Sequence, residues 1–186
     1  MDNQLTTKSL FSQEKVKAKF QEMLGKRATA FITSVLQIVA ANKLLSKADP
    51  MSVYQAAAVA ATLDLPLNNN LGFAYIIPYG TKGTDDQGRD TTIYVAQFQM
   101  GYKGFIQLAQ RSGQVRKLYA TEIYEGQVIS ANPLTGYEFD FAKKTSDAVV
   151  GYAARLELLN GFESILYMTT DELKKHGARF SQTYRK

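Results

Sequence analysis

Two stretches of this sequence gather cations and amides with no acid among them, and both have helical spacing. In residues 101–117, Lys103, Gln107, Gln110, Arg111 and Gln114 fall near one helical face, with Phe105, Ile106, Leu108 and Ala109 opposite. Arg116 and Lys117 carry the same charge onto the segment that follows. An exposed helix usually mixes signs, because opposite charges three or four residues apart attract. Cations and amides alone suit a phosphate backbone. The second stretch, residues 174–186, holds Lys174, Lys175, His176, Arg179, Arg185 and Lys186, with Lys175 and Arg179 sharing a face. Cations near a helix C-terminus also complement the macrodipole, so this cluster weighs less by itself. Lys143 and Lys144, between two strands, form a weaker third group. Tyr102, Tyr119, Tyr124 and Phe180 lie beside these cations and could stack on bases. Tyr137, Phe139 and Phe141 alternate with Glu138 and Asp140, the pattern of a half-buried strand.

Hydrolytic chemistry has little to draw on. The chain has no cysteine and one histidine, which excludes a thiolate nucleophile, a disulfide framework and any cysteine-ligated metal. His176 sits among cations without a nearby carboxylate and reads as a polar or packing contact, not a base. Gly80, Lys82 and Gly83 lack the spacing of a phosphate-binding loop and the helix that should follow it. Asp85, Asp86 and Asp90 read as a polar hairpin tip; a metal-dependent nuclease using Asp85, Asp86, Glu138 or Asp140 remains the competing enzymatic reading. No cofactor or metal site is assigned. A third reading is a structural oligomer in which the basic segment Lys15 to Lys26 binds a neighbour's acidic face.

The elements that must position these residues follow from periodicity. With 186 residues, 45% of them hydrophobic, the chain can bury one core, so a single domain over residues 1–186 is expected. Its 22 Lys and Arg against 17 Asp and Glu leave a formal charge of +5 and favour an acidic partner. Val16, Phe20, Met23 and Leu24 share a helical face in a segment beginning at Ser12, and Phe31, Ile32, Val35, Leu36 and Val39 repeat the spacing up to about Ser46. Asp49 before Pro50 caps an alanine-rich helix ending near Leu63. Residues 73–79 and 92–100 read as strands around a polar loop at 80–90, residues 102–112 as a helix closed by Gly113, and residues 115–124, 137–142, 149–159 and 162–168 as strands. Asn160-Gly161 marks a tight hairpin, and Thr169 with Glu172 a capping box opening a last helix to about Phe180. The order is α+β: N-terminal helices, a mostly antiparallel sheet with an inserted helix, and a closing C-terminal helix. The N-terminus carries Asp2 and Lys8 with no apolar core, and the apolar stretch 28–45 is broken by Thr33, Ser34, Gln37, Asn42 and Lys43, so neither a secretory signal nor a membrane span is read and a soluble intracellular protein is expected.

Residues 101–115, 120–126, 151–155 and 168–181, with Leu63 to Leu67, the Asn68-Asn69-Asn70 run and residues 73–80, together resemble the RecT family of phage and prophage single-strand annealing recombinases. Gly177, where a small residue such as alanine is expected, is a minor departure. The resemblance implies a single-strand annealing core that works without ATP in the bacterial cytoplasm. It implies a homo-oligomer, ring or helical filament, on single-stranded and newly annealed duplex DNA, with a phage exonuclease and the host single-strand-binding protein as partners. It also implies a further C-terminal partner-binding region, absent here, in keeping with the abrupt end at Tyr184-Arg185-Lys186. Annealing needs strands held by their backbones with the bases free, so the DNA-contacting residues expected are Tyr102, Lys103, Gln107, Arg111, Arg116, Lys117, Lys143, Lys144, Lys175, Arg179 and Phe180. The acids in the 80–90 loop favour a contact with a neighbouring subunit there over a contact with DNA.

Overall fold

A computed structural model describes residues 5–84, 87–181 and 184. The chain divides into two compact units, Met1–Arg111 and Ser112–Lys186, a boundary that the length argument for a single core does not supply.

The first unit is helices packed on a hairpin. Helix α1 (Thr7–Ser12) is capped by Thr6, whose hydroxyl accepts from the Ser9 N–H at 3.1 Å, and lies ahead of the first helix expected from periodicity. Six residues are too few for a hydrophobic period to show, and this one is fixed by its cap. Helices α2 (Glu14–Leu24), α3 (Ala28–Ala41) and α4 (Pro50–Thr62) follow. The stripe Val16, Phe20 and Leu24 meets Phe31, Val35 and Val39, and Phe20 stacks on Phe11 and lies tilted against Phe31, each at 5.6 Å between centroids, with Tyr54 edge-on at 5.8 Å. The Asp49 carboxylate caps α4 through the Ser52 N–H at 2.8 Å. The alanine face of α4 (Ala56, Ala57, Ala60, Ala61) is buried, and the Ser52 hydroxyl accepts from Ala96 N–H at 2.9 Å, tying α4 to the hairpin.

That hairpin is β1 (Ala74–Thr84) against β2 (Asp90–Met100), antiparallel from Ala74 opposite Met100 to Thr84 opposite Asp90. Both strands run deeper into the polar segment than expected. Glycine explains this at Gly83, where any Cβ would run into the Ile93 side chain across the ribbon. The base is anchored by Ala74, Ile76 and Ala96 in the core, and farther along β2 Tyr94 packs on that core and its carbonyl accepts from the Asp49 N–H at 2.9 Å; Asp85 and Asp86 lie outside the described residues. Helix α5 (Tyr102–Arg111) completes the unit.

The second unit is a three-stranded antiparallel sheet in the order β3 (Val115–Tyr124), β6 (Val149–Leu158), β7 (Glu163–Thr169), with a separate hairpin of β4 (Val128–Asn132) and β5 (Gly136–Phe139). β4 is an element the strand pattern misses. The expected strand 137–142 stops at Phe139, because the Asp140 carboxylate accepts from Ala142 N–H at 3.0 Å and turns Phe141–Lys143 into a 3₁₀ helix. Gln127 is buried at the corner, accepting from Tyr124 N–H at 2.8 Å and donating to the Phe141 carbonyl at 3.1 Å. One sheet face buries Ile123 and Ala153 and brings Tyr167 against Tyr137 and Phe139, at 6.0 and 5.5 Å. Glu172 donates nothing and accepts twice, from the Thr169 N–H and hydroxyl, both at 2.9 Å, completing the box that opens α6 (Thr170–Phe180). The architecture is α+β, as the periodicity indicates. Among the described residues no helix is long and apolar enough to cross a membrane.

Candidate nucleic-acid interface

Helix α5 docks on the first unit differently from its sequence pattern. Gly104 is buried and Gln107 and Leu108 half-buried, so these with Arg111 form the inner face. Phe105, on the face opposite the cations and amides, is 61% exposed, and Tyr102 is 71% exposed. The reason is Gly104: a Cβ there would collide with the Phe73 carbonyl and reach Met100 Cγ at 2.9 Å, so the helix packs backbone to backbone and turns its aromatic residues outward. Apolar spacing puts Phe105 on the face opposite the cations and amides, and it cannot reveal which of the two faces a glycine lets dock. The Oε1 of Gln107 is buried with no partner among the described residues, so its amide is turned inward.

Arg111 also points inward. Its guanidinium donates to the Leu63 carbonyl at 2.7 Å and to the Asp64 carbonyl and carboxylate at 3.3 and 3.4 Å. These are the loose ends of α4, which closes with Leu65 N–H on Ala60 O (2.9 Å) and Asp64 N–H on Ala61 O (3.0 Å), the helix-ending motif that puts its C′ residue in the left-handed region. Here that residue is Asp64, at φ 51°. The left-handed region disfavours an ordinary L-residue by about 1 kcal/mol, and Asp64 is held there by Arg111 and by Arg27, whose Nη1 lies 2.6 Å from its carboxylate. The hydrogen bond to Asp64 raises the pKa of Arg27 further. Lys103 forms no ion pair among the described residues.

In the second unit most of the expected cations already have carboxylates. Glu157, almost wholly buried on β6, takes Arg116 at 3.3 Å, Lys117 at 3.2 Å and Arg155 at 3.2 Å. Arg155 also reaches Glu163: its Nε is 2.9 Å away but poorly aligned, and Nη2 makes the hydrogen bond at 3.0 Å. Three cations thus share two carboxylates. Lys143 pairs with Asp140 at 3.8 Å. Lys144 pairs with Asp147 at 2.7 Å and sits 3.8 Å over the Tyr124 ring, and that hydrogen bond raises the pKa of Lys144 and lowers that of Asp147. On α6, Lys175 has no ion pair among the described residues, although its charge helps depress Glu172. His176 packs on Phe180 at 4.7 Å and Arg179 lies 5.0 Å from the same ring, which is 62% exposed. Arg185 and Lys186 fall outside the described residues.

Segregation of charge along the sequence is therefore not segregation in space. The acid-free run 103–117 meets Asp64 and Glu157 from distant segments. Tyr102, Lys103, Gln107 and Arg111 belong to the first unit and the remaining expected contacts to the second. Among the described residues no group of three His, Cys, Asp or Glu side chains is placed to hold a metal ion; Asp85 and Asp86 lie outside them.

The model of the RecT family matches residues 29–186. The uncharacterised protein YqaK of Bacillus subtilis (strain 168) is 48% identical over 179 residues, 96% of this chain and 58% of its own length. Protein RecT of Escherichia coli (strain K12) is 31% identical over 110 residues, 59% of this chain and 38% of its own. The chain thus spans well under two thirds of either relative.

Proposed function

We infer the function from one premise: the chain belongs to the RecT family. It binds single-stranded DNA by the backbone and promotes annealing of complementary strands in phage-type recombination, without ATP and as an assembly of copies. The observation that carries this beyond the family is that, among the described residues, one helix in each unit carries an exposed lysine outside any ion pair together with an exposed aromatic: Lys103 with Tyr102 and Phe105 on α5, Lys175 with Phe180 on α6.

Each helix offers a phosphate one lysine outside any ion pair and offers a base an exposed ring to stack on. Stacking contributes about 1–3 kcal/mol per base and is indifferent to sequence. Base edges then stay free for Watson-Crick pairing, which supplies the specificity. The paired cations act differently. Arg116 and Lys117 reach a phosphate by exchanging Glu157 for it, and Lys143 and Lys144 by leaving Asp140 and Asp147, so each contributes less than a free lysine. Gln107 and Arg111 position α5 and do not touch DNA. Arg179 serves through the face of Phe180. A phage exonuclease, the host single-strand-binding protein and the bacterial cytoplasm complete the reading.

The test is equilibrium binding of an oligothymidylate across a salt series. The parent shows a steep linear fall of log K with log salt, and Lys103→Gln and Lys175→Gln each flatten the slope by about 0.7, the value for one single-strand phosphate contact. A shallow parent slope, or full slopes in both variants, would overturn the assignment.

A further inference from the structure

The sheet of the second unit has two open edges. β6 lies between β3 and β7, so among the described residues the outer sides of β3 and β7 present backbone donors and acceptors to no other strand. Natural sheets shield such edges with lysine, proline or a bulge, because an unshielded edge pairs with whatever strand it meets. From Ser164 to Thr169, β7 carries no charge and no proline, and its Leu166 is 57% exposed. β3 carries Arg116, Lys117 and Glu122 and a register shift near each end, but between these it exposes Leu118 and Tyr119 and keeps regular pairing from Lys117 to Ile123.

The two edges are complementary. Lys117 lies opposite Glu157, and Glu157 opposite Glu163, so the three stand at one level across the sheet. Ala120, Ala154 and Leu166 form another level. Repeating the sheet sideways in a second copy, at the same levels, places that copy's Lys117 against Glu163 and its small Ala120 against Leu166. The alternation of charge that runs through Lys117, Glu157, Arg155 and Glu163 continues unbroken into the neighbour. Both β3 and β7 are antiparallel to β6, so the join is a parallel pairing.

We propose that β7 of one copy pairs with β3 of the next, extending the sheet from copy to copy. The two edges differ, so the contact is head to tail. Every added copy presents a fresh β7, and the product is a ring or filament, not a two-fold dimer. This rests on the assembly part of the function above and adds the surface that makes it.

The chain has no cysteine, which makes a disulfide test clean. Ala120 and Leu166 of one copy are separated by β6, two strand spacings or about 9.5 Å, too far for a disulfide, whose Cα atoms lie within about 7 Å. In the Ala120→Cys, Leu166→Cys double variant, mild oxidation should give a ladder of dimers, trimers and higher species on a non-reducing gel, with or without DNA, while either single variant gives none. A dimer from Leu166→Cys alone would show a β7 to β7 join and overturn the proposal. So would an assembly of unchanged mass that does not cross-link, or a monomer under all conditions. As an independent variant, Glu163→Lys should reduce assembly mass by half or more while Glu163→Asp retains it; equal masses would contradict the charge pairing. Annealing is read separately, so a ladder without annealing would refute the proposed function and leave the interface standing.

Discussion

Arg111→Met separates two roles for the same arginine. The substitution keeps the apolar stem and deletes a guanidinium that donates at 2.7 Å to the Leu63 carbonyl and at 3.3 and 3.4 Å to Asp64. The short bond is charge-assisted, a class that contributes about 1.5–3 kcal/mol, whereas the two long bonds add little. With 37% of the side chain exposed, solvent screening moves the total to the low end, about 1.5–2 kcal/mol. The loss also uncovers the last carbonyls of α4 and leaves Asp64 in its left-handed conformation with Arg27 alone. For a domain of about 100 residues, 1 kcal/mol moves the melting temperature by about 4–8 °C, so a fall of roughly 6–16 °C is expected. Calorimetry on parent and variant gives the melting temperature, and oligothymidylate binding at several salt concentrations, well below it, gives the slope. A large fall in melting temperature with an unchanged salt slope is the expected pair of results. A melting temperature within about a degree of the parent with a slope flatter by about 0.7 would make Arg111 a phosphate ligand and refute the clamp.

Other expectations follow from the same geometry. Gly104→Ala should destabilise the first unit by about 1–3 kcal/mol in urea unfolding, since the added methyl meets the Phe73 carbonyl backbone, and an unaffected midpoint would contradict the docking of α5. The Thr169 backbone N–H holds the Glu172 carboxyl below the usual carboxylate range, so its contribution to α6 is fully present above the unfolded pKa and is lost as pH falls through the lowered folded value. A pH titration of helicity should therefore show the parent losing, on acidification, an advantage over Glu172→Gln that it holds at neutral pH; parallel curves would exclude the cap. Phe105→Ala should weaken oligonucleotide binding by about 1–3 kcal/mol at constant salt slope, as a lost stacking surface does, and unchanged affinity would remove Phe105 from the interface.

Local rules were legible wherever one residue decides the backbone. Asp49 with Pro50, Asn160 with Gly161, and Thr169 with Glu172 mark element boundaries that the structure places within a residue or two. Elements whose cause is short or distant were not legible. Helix α1 rests on one cap, and β4 exists because β5 and the buried Gln127 hold it, not because of its own pattern. At the interface, the residue types of α5 pointed to cations and rings, and Lys103 and Tyr102 stand exposed as those types suggest. The partners of the cations lie far along the chain, Asp64 for Arg111 and Glu157 for Arg116 and Lys117, so no window of sequence could show that they are already engaged. The exposure of Phe105 was not legible for a related reason: the packing surface of α5 is set by the close approach of Gly104 to Phe73, a contact between segments.

Annealing of two complementary oligonucleotides, one fluorescent and one quenching, with purified protein, no nucleotide and a salt series, tests the central claim most directly. The account expects annealing well above the protein-free rate at low salt and a steep decline as salt rises. It expects the rate to fall when Lys103 and Lys175 are both replaced by glutamine in a protein that remains folded. Annealing no faster than in its absence at any salt concentration, by a folded protein, would contradict it.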